Sequence, residues 1–178
     1  MKKVVLLFSL FAVLATQANA QKKKSSYHGG SYGVENYNTA LGVRLNPWLA
    51  GFTIKHFIAG PHAIEGIVST NFAQRTNVTF TGLYEYHWNV GMQGLNMYGG
   101  GGVHVGIYDR LDYWEDKFHE KGNGNYVTPG LDGIIGIEYT FKNIPLNISA
   151  DLKPYVQFVG PTNHLDQEIG GVSARFAF

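Results

Sequence analysis

Two histidines on strand-like segments are the first candidates for acid–base chemistry. Glu85 and His87 are two residues apart, a spacing that puts both side chains on one face of a β-strand. His104 lies on the polar face of the next predicted strand. A carboxylate beside an imidazole can act as a general acid–base pair. No serine–histidine–acid spacing stands out, so the sequence favours packed histidines over a catalytic site.

The segment from 109 to 127 combines charged side chains with aromatic ones. Tyrosine and tryptophan are favoured anchors at interfaces, so this segment is the candidate for contact with a protein partner, a glycan or lipid headgroups. A solvated loop above the lipid, with its aromatic side chains dipping into the interface, is the alternative that the sequence favours slightly. Cation binding by Asp112, Asp116 and His119 is disfavoured, because their spacing matches no known metal-binding loop. The predicted contact residues are Asp112, Tyr113, Trp114, Glu115, Phe118 and His119.

Four consecutive glycines at 99–102 resemble a phosphate-binding loop only superficially. Such a loop follows a strand, precedes a helix and usually carries Lys-Ser/Thr, and no such context is present here. A structural role is favoured, because glycine lets strands coil tightly and leaves room for large neighbouring side chains. Gly133 and Gly136 are interpreted in the same way. The sequence predicts no metal and no cofactor.

The N-terminus has the pattern of an export signal. Met1-Lys2-Lys3 is followed by an apolar run from Val4 to Ala15 and by Ala18-Asn19-Ala20. A basic start, a short apolar region and a small-x-small site are typical of a cleaved signal peptide, and the run is too short to span a bilayer. We therefore predict a signal peptide at 1–20, cleaved after Ala20, and a flexible polar tail at 21–36.

The composition limits the classes of function. About 158 residues remain after cleavage, enough for one domain. The full chain has a formal net charge of +1, and loss of Lys2 and Lys3 would make the mature chain −1. The chain therefore lacks the strong positive charge that would favour binding to nucleic acid. The chain has no cysteine, which excludes a disulfide framework. Its richness in Gly, Tyr and Phe suits strands that are apolar on one face.

The remaining chain, 37–178, shows period-2 alternation between turn signals and no convincing helical period. We predict an all-β fold: an eight-stranded antiparallel up-and-down transmembrane β-barrel. An even strand count brings both termini to one side, and the longest connection, 109–127, then lies on the other. The predicted strands are 38–46, 49–58, 62–71, 77–88, 94–108, 129–142, 145–158 and 168–178.

The polar face of these strands carries charges of both signs. In a membrane barrel this face lines the lumen, where the charges would pair as a network. In a soluble, lipocalin-like carrier the same charges would face water. Aromatic residues near strand ends, including Trp48, Trp88 and Phe141, favour the membrane barrel because they fit interfacial girdles. The predicted lumen network comprises Arg44, Lys55, Glu65, Glu85, Asp132, Glu138, Asp151, Lys153 and Arg175.

The chain ends in the alternating strand Val172-Ser173-Ala174-Arg175-Phe176-Ala177-Phe178. Together with the export signal and the eight segments, this strand resembles the small outer-membrane β-barrels of the OmpA/OmpX/Opa class. The resemblance implies location in a Gram-negative outer membrane. It also implies that Phe176 and Phe178 form the signal read by the barrel assembly machinery. That class holds adhesins, anchors, narrow channels and some lipid-modifying enzymes, so it does not fix an activity.

The leading expectation is a non-enzymatic structural or interaction component of the outer membrane. Its expected partners are membrane lipid, the assembly machinery during biogenesis, and an extracellular or membrane protein, with no nucleic acid. A narrow channel for small solutes and a lipid-modifying enzyme stay open as alternatives. A wide pore is disfavoured, because eight strands leave an interior just wide enough for side chains.

Overall fold

The computed structural model describes residues 37–47, 49–71, 78–109, 125–158 and 169–178. The predicted signal peptide and polar tail therefore lie outside the described residues. Within those ranges no helix is long and apolar enough to cross a membrane.

The described chain forms a closed antiparallel barrel with eight strand positions, or staves, one of which is shared by two short strands. The strands are β1 (Thr39–Leu45), β2 (Leu49–Ala59), β3 (His62–Asn71), β4 (Val78–Asn89), β5 (Leu95–Asp109), β6 (Asn125–Thr140), β7 (Leu146–Leu152), β8 (Tyr155–Gln157) and β9 (Gly170–Ala177). Strands β1 to β7 pair in chain order, β8 pairs with β6, and β9 pairs with both β7 and β1. The β1–β9 pairing closes the sheet on itself. This confirms the predicted eight-stranded antiparallel barrel.

The seventh stave differs from the continuous strand expected at 145–158. It consists of β7 and β8, which both pair with β6 and are separated by Lys153 and Pro154. Proline has no N–H to donate to the ladder. The Pro154 carbonyl still accepts a hydrogen bond from the Gly133 N–H at 2.8 Å. The chain therefore keeps its course across the break.

Two boundaries around the 109–127 segment also differ from expectation. β5 continues to Asp109 and β6 begins at Asn125, so these two residues face each other across the ladder. The alternation of β6 runs through Pro129, with Thr128 buried and Val127 exposed. The connection is therefore 110–124, and the predicted contact residues 112–119 lie outside the described part of the chain.

The barrel is polar inside and apolar outside. β4 illustrates the alternation, because Glu85 and His87 are fully buried while Phe80, Tyr84 and Trp88 are exposed. Successive side chains of a strand point to opposite faces of the sheet. Period-2 patterning therefore puts the nine charged residues into the lumen and leaves a largely apolar outer surface.

The start of β1 and the end of β9 lie at the end of the barrel that carries the tight turns. The Thr39 N–H donates to the Phe178 carbonyl at 2.9 Å, and the Phe178 N–H donates back at 2.8 Å. At the β4–β5 turn Gly94 has a φ of 86°, and a Cβ there would lie 2.6 Å from the Thr140 carbonyl. This turn therefore requires glycine, whose lack of a Cβ permits both the φ and the close approach.

The glycine run 99–102 lies within β5 and is followed by more strand, which rules out a phosphate loop there. A Cβ on Gly100 would collide with the Tyr84 carbonyl of β4, and one on Gly136 would lie 2.5 Å from the Tyr98 ring. These glycines therefore permit close strand approach and leave space for a large lumen side chain.

Candidate functional site

All nine residues of the predicted lumen network are buried inside the barrel. Their relative exposures run from 0% at Lys55 to 7% at Asp151. They come from seven staves, so their contacts reach across the lumen as well as along its wall. They form three groups around Lys55, Asp151 and Asp132.

Lys55 is the centre of the largest group. Its Nζ lies 2.7 Å from a Glu85 carboxylate oxygen, 3.2 Å from one of Glu65 and 3.5 Å from one of Glu138. The same Nζ sits 4.0 Å from the centre of the Tyr98 ring, a cation–π distance. One ammonium group from β2 thus contacts carboxylates on β3, β4 and β6.

Arg175 is the second cation of this group and links β9 to the opposite wall. Its guanidinium pairs with Glu65 and donates to Ser149 Oγ at 2.8 Å and Asn147 Oδ1 at 3.2 Å. Its Nε donates to Thr53 Oγ1 at 3.3 Å. The planar fork of arginine suits this arrangement, because its donors point in several fixed directions.

His87 lies between two of the carboxylates that surround Lys55. Its Nε2 is 3.0 Å from Glu85 and its Nδ1 is 3.4 Å from Glu138, and its ring stacks on Tyr98. Two cations, Lys55 and Arg175, face three carboxylates, so one more proton is needed for neutrality. His87 and the three carboxylates are the groups of this cluster that can hold that proton.

Asp151 and Asp132 organise the two smaller groups. Arg44 forms a bidentate pair with Asp151 at 2.5 Å, and the Tyr98 hydroxyl donates to the same carboxylate at 3.0 Å. Asp132 binds Lys153 at 3.0 Å and His104 Nδ1 at 2.8 Å. Every one of the nine charged side chains thus has an oppositely charged neighbour, as burial of charge requires.

Apolar side chains fill the lumen near the termini. The Tyr37 and Phe57 rings meet edge to face with centroids 5.1 Å apart, and Phe57 lies against His87. The Tyr37 hydroxyl donates to Glu138 at 3.2 Å. This packing connects directly to the ion network through Glu138 and His87.

The geometry limits the chemistry of the histidines. Glu85 and His87 do form a pair, but both side chains have no exposed surface. A general base must reach the proton that it abstracts, and the described side chains enclose both groups completely. His104 binds Asp132 rather than Glu85. Among the described residues, no group of three or more His, Asp or Glu side chains is arranged to hold a metal ion.

Phe176 and Phe178 both point to the outside of the barrel. Their ring centroids are 6.1 Å apart, and the Phe178 side chain is exposed. The backbone of Phe178 binds Thr39 of β1. The terminal aromatic residue is thus held at the seam where the barrel closes, with its ring free for an outside contact.

Several network members were not singled out from the sequence. Tyr98, Thr53, Asn147 and Ser149 share the inward parity of the charged residues, so the alternation was the signal that identified their face. Tyr37 precedes β1, and no strand pattern could place it in the lumen.

Comparison of the chain with protein-family models, with curated proteins and with solved structures gave no match. The resemblance to the OmpA/OmpX/Opa class therefore rests on the residues quoted for it and stays a prediction.

Proposed function

We propose that this protein is an outer-membrane β-barrel with a closed lumen, acting as a structural or interaction component rather than as a pore or an enzyme. The single observation that carries the proposal is the inverted polarity of the barrel. The fully buried ion network occupies the interior, while large apolar side chains cover the exterior. A bilayer solvates such a surface, and water does not.

The outer surface supports the membrane part of the proposal. Phe52, Ile54, Val103, Leu131 and Leu152 are each about half exposed or more. An exposed apolar surface that encircles a barrel is far larger than the patches that soluble monomers carry. A lipocalin-like carrier would need these side chains inside around a ligand, where this barrel has charged groups.

The distribution of aromatic residues supports the membrane location and indicates which end of the barrel faces the periplasm. Tyr86 and Trp88 stack on the outer wall, and Tyr139 packs edge to face against Phe141. These pairs lie toward the end of the barrel that carries the termini and tight turns. Aromatic girdles at membrane–water interfaces have this position, and short turns are typical of the periplasmic end. We therefore place the termini in the periplasm.

The cross-lumen contacts support a closed interior. Lys55, Arg175 and Glu65 have no exposed side-chain surface; the Lys55–Glu138 contact joins β2 to β6, and the Arg175–Glu65 pair joins β9 to β3, so both reach across the lumen. Removing these contacts to open a path would leave charges buried and unpaired, at a cost of about 3–5 kcal/mol for each pair. We therefore favour the structural or interaction role over the narrow channel.

The first experiment tests the barrel and its location. Protein extracted from an outer-membrane fraction should run faster on a gel when it is not heated, because a closed barrel resists the detergent. A protein recovered from the soluble periplasmic fraction without a mobility difference would contradict the proposal.

Conductance in planar bilayers tests the closed lumen. The wild-type protein should give no stepwise current. The matched variant carries Glu65→Ala and Arg175→Ala together, which removes two side chains that cross the lumen without altering the net charge. It should give measurable steps. Regular steps from the wild type would favour the channel instead.

The interaction role assigned to the segment 112–119 is tested separately. A photo-crosslinking residue in place of Trp114 should give a crosslinked product in intact outer membranes. The same residue in place of Phe141, at the end that carries the tight turns, is the control and should not give that product. Identical product patterns at both positions would refute a contact specific to the segment.

A further inference from the structure

The outer wall of the barrel has a furrow across β2, β3, β4 and β5. Two adjoining depressions, of about 410 and 560 Å³, share Ile54, Gly66, Gly82 and Val103 in their linings. Gly66 and Gly82 face each other across the β3–β4 ladder and form the floor. The furrow thus lies within the apolar surface that the proposed function assigns to lipid.

The two floor glycines are not required by the backbone. A Cβ on Gly82 would have nothing within 4 Å, and one on Gly66 would meet only Ile54 Cγ2 at 3.4 Å. Gly100 and Gly102 differ, because a Cβ on either would collide with the backbone of β4. The missing side chains at 66 and 82 therefore serve mainly to keep the outer wall concave.

The walls of the furrow are apolar and exposed. Ile54, Phe80 and Val103 rise beside the glycine floor, with exposures of 49%, 50% and 57%. A flexible hydrocarbon chain fits such a surface, because it can follow an irregular apolar wall and gains dispersion contacts along it.

The end of the furrow toward the termini is polar. His56 and Tyr84 line this end. His56 Nδ1 is 2.8 Å from Thr39 Oγ1, and His62 Nδ1 is 2.5 Å from the Tyr84 hydroxyl. Among the described residues, each imidazole contacts the wall through Nδ1, and Nε2 is directed to neither hydroxyl. A polar group at a lipid-facing surface is costly without a partner, so an acceptor from outside the barrel suits this end.

We propose that this furrow binds one glycerophospholipid of the surrounding leaflet. An acyl chain lies over Gly66 and Gly82, and the phosphate group accepts hydrogen bonds at the His56, His62 and Tyr84 end. This inference rests on the proposed membrane location. A second copy of the barrel would supply another apolar wall, whereas a phospholipid supplies both an apolar chain and a phosphate acceptor for the imidazoles, so the polar end of the furrow favours a lipid.

The test uses full-length mature protein reconstituted in vesicles of phosphatidylethanolamine and phosphatidylglycerol, then released for native mass spectrometry. The wild type should retain one phospholipid after the remaining lipid has been stripped. Gly82→Leu, which fills the furrow without a backbone collision, should lower the retained fraction about tenfold. Ala150→Leu adds the same side chain on the outward face of β7 and should retain the lipid like the wild type.

A second variant tests the polar end. His56→Leu should weaken retention of phosphatidic acid about tenfold while leaving that of diacylglycerol, which lacks the phosphate, unchanged. Equal losses for both lipids, or no loss for either, would overturn the assigned position of the headgroup.

Three outcomes would overturn the furrow proposal. The wild type could retain no lipid, Gly82→Leu could retain as much as Ala150→Leu, or a dimer that Gly82→Leu dissociates could take the place of the lipid adduct. Heat-modifiable migration in the same vesicles separates these failures from failure of the proposed function. A barrel that inserts but holds no lipid refutes only the furrow, whereas a barrel that does not insert refutes the membrane location.

Discussion

Replacing Lys55 by methionine tests the ion network most directly. The substitution keeps the length of the side chain and removes the positive charge that faces Glu65, Glu85 and Glu138 at 2.7–3.5 Å. Removing one partner of a buried ion pair costs about 3–5 kcal/mol, because the remaining charge stays buried without compensation. We expect the free energy of unfolding of Lys55→Met to fall by that amount.

The assay is urea unfolding of the barrel in lipid vesicles, followed by tryptophan fluorescence and linear extrapolation. Lys142→Met is the matched control. Its ammonium group is exposed and donates a hydrogen bond to Gln93 Oε1. The free energy of unfolding of Lys142→Met should therefore differ from that of the wild type by no more than about 0.5 kcal/mol.

A second substitution decides whether the lost charge is the cause. Glu85 supplies the carboxylate nearest to Lys55. Adding Glu85→Gln to Lys55→Met removes one of the uncompensated charges and should restore at least about 1 kcal/mol. If Lys55→Met does not fold, the same rescue is measured as the fraction that migrates as a folded barrel. A variant as stable as the wild type, or no rescue by Glu85→Gln, would refute the reasoning.

Three further substitutions probe the outer wall, the glycines and the terminus. Ile54→Arg, at the middle of β2, should destabilise the inserted barrel by about 2–4 kcal/mol, whereas Ile58→Arg, near the end of the same strand and on the same face, should cost about 0–1 kcal/mol. Equal free energies of unfolding for the two variants in vesicles would contradict the proposed membrane depth. Gly136→Ala should cost about 1–3 kcal/mol because its Cβ overlaps the Tyr98 ring, while Gly82→Ala should cost nothing, and urea titrations that reverse this order would refute the packing argument. Phe178→Ala should lower the yield of assembled barrel in cells, yet change the unfolding free energy of refolded protein by less than about 1 kcal/mol; Phe141→Ala is the control, and equal yields for the two variants would exclude Phe178 as an assembly signal.

The alternation of the strands was readable from the sequence because side chains on a strand have a period of two. That period alone assigns Lys55, Glu85 and Arg175 to one face and Ile54, Tyr84 and Phe176 to the other. It also predicts the strand count, since turn residues separate the segments. Once the strands are paired around a closed barrel, the charged face has only the lumen in which to find partners.

The pairing within the lumen was not readable, because it depends on how far each strand is shifted along its neighbour. Glu138 reaches Lys55 only through the combined register of the intervening strands, and no local pattern encodes that sum. The predicted ends of β6 and β7 were wrong because a proline does not always end a strand. The alternation of inward and outward side chains continues through both Pro129 and Pro154. The missing proline N–H interrupts the hydrogen-bonded ladder only at Pro154, where β7 ends and β8 begins. The outer furrow was not predicted, because the sequence assigns Gly66 and Gly82 to the outer face but does not show that they lie side by side on neighbouring strands.

The seam between β1 and β9 has a consequence for how the chain folds. The pairing of Ala40 with Ala177 joins residues from opposite ends of the barrel sequence, and contacts of such high contact order form late and slowly. Arg175 is on that last strand, so Glu65 has only one of its two cations until the seam forms. A partly assembled barrel therefore has both an open edge and an uncompensated carboxylate. Both defects disappear in the same step, which makes closure cooperative and leaves little stability to an intermediate that stops one strand short.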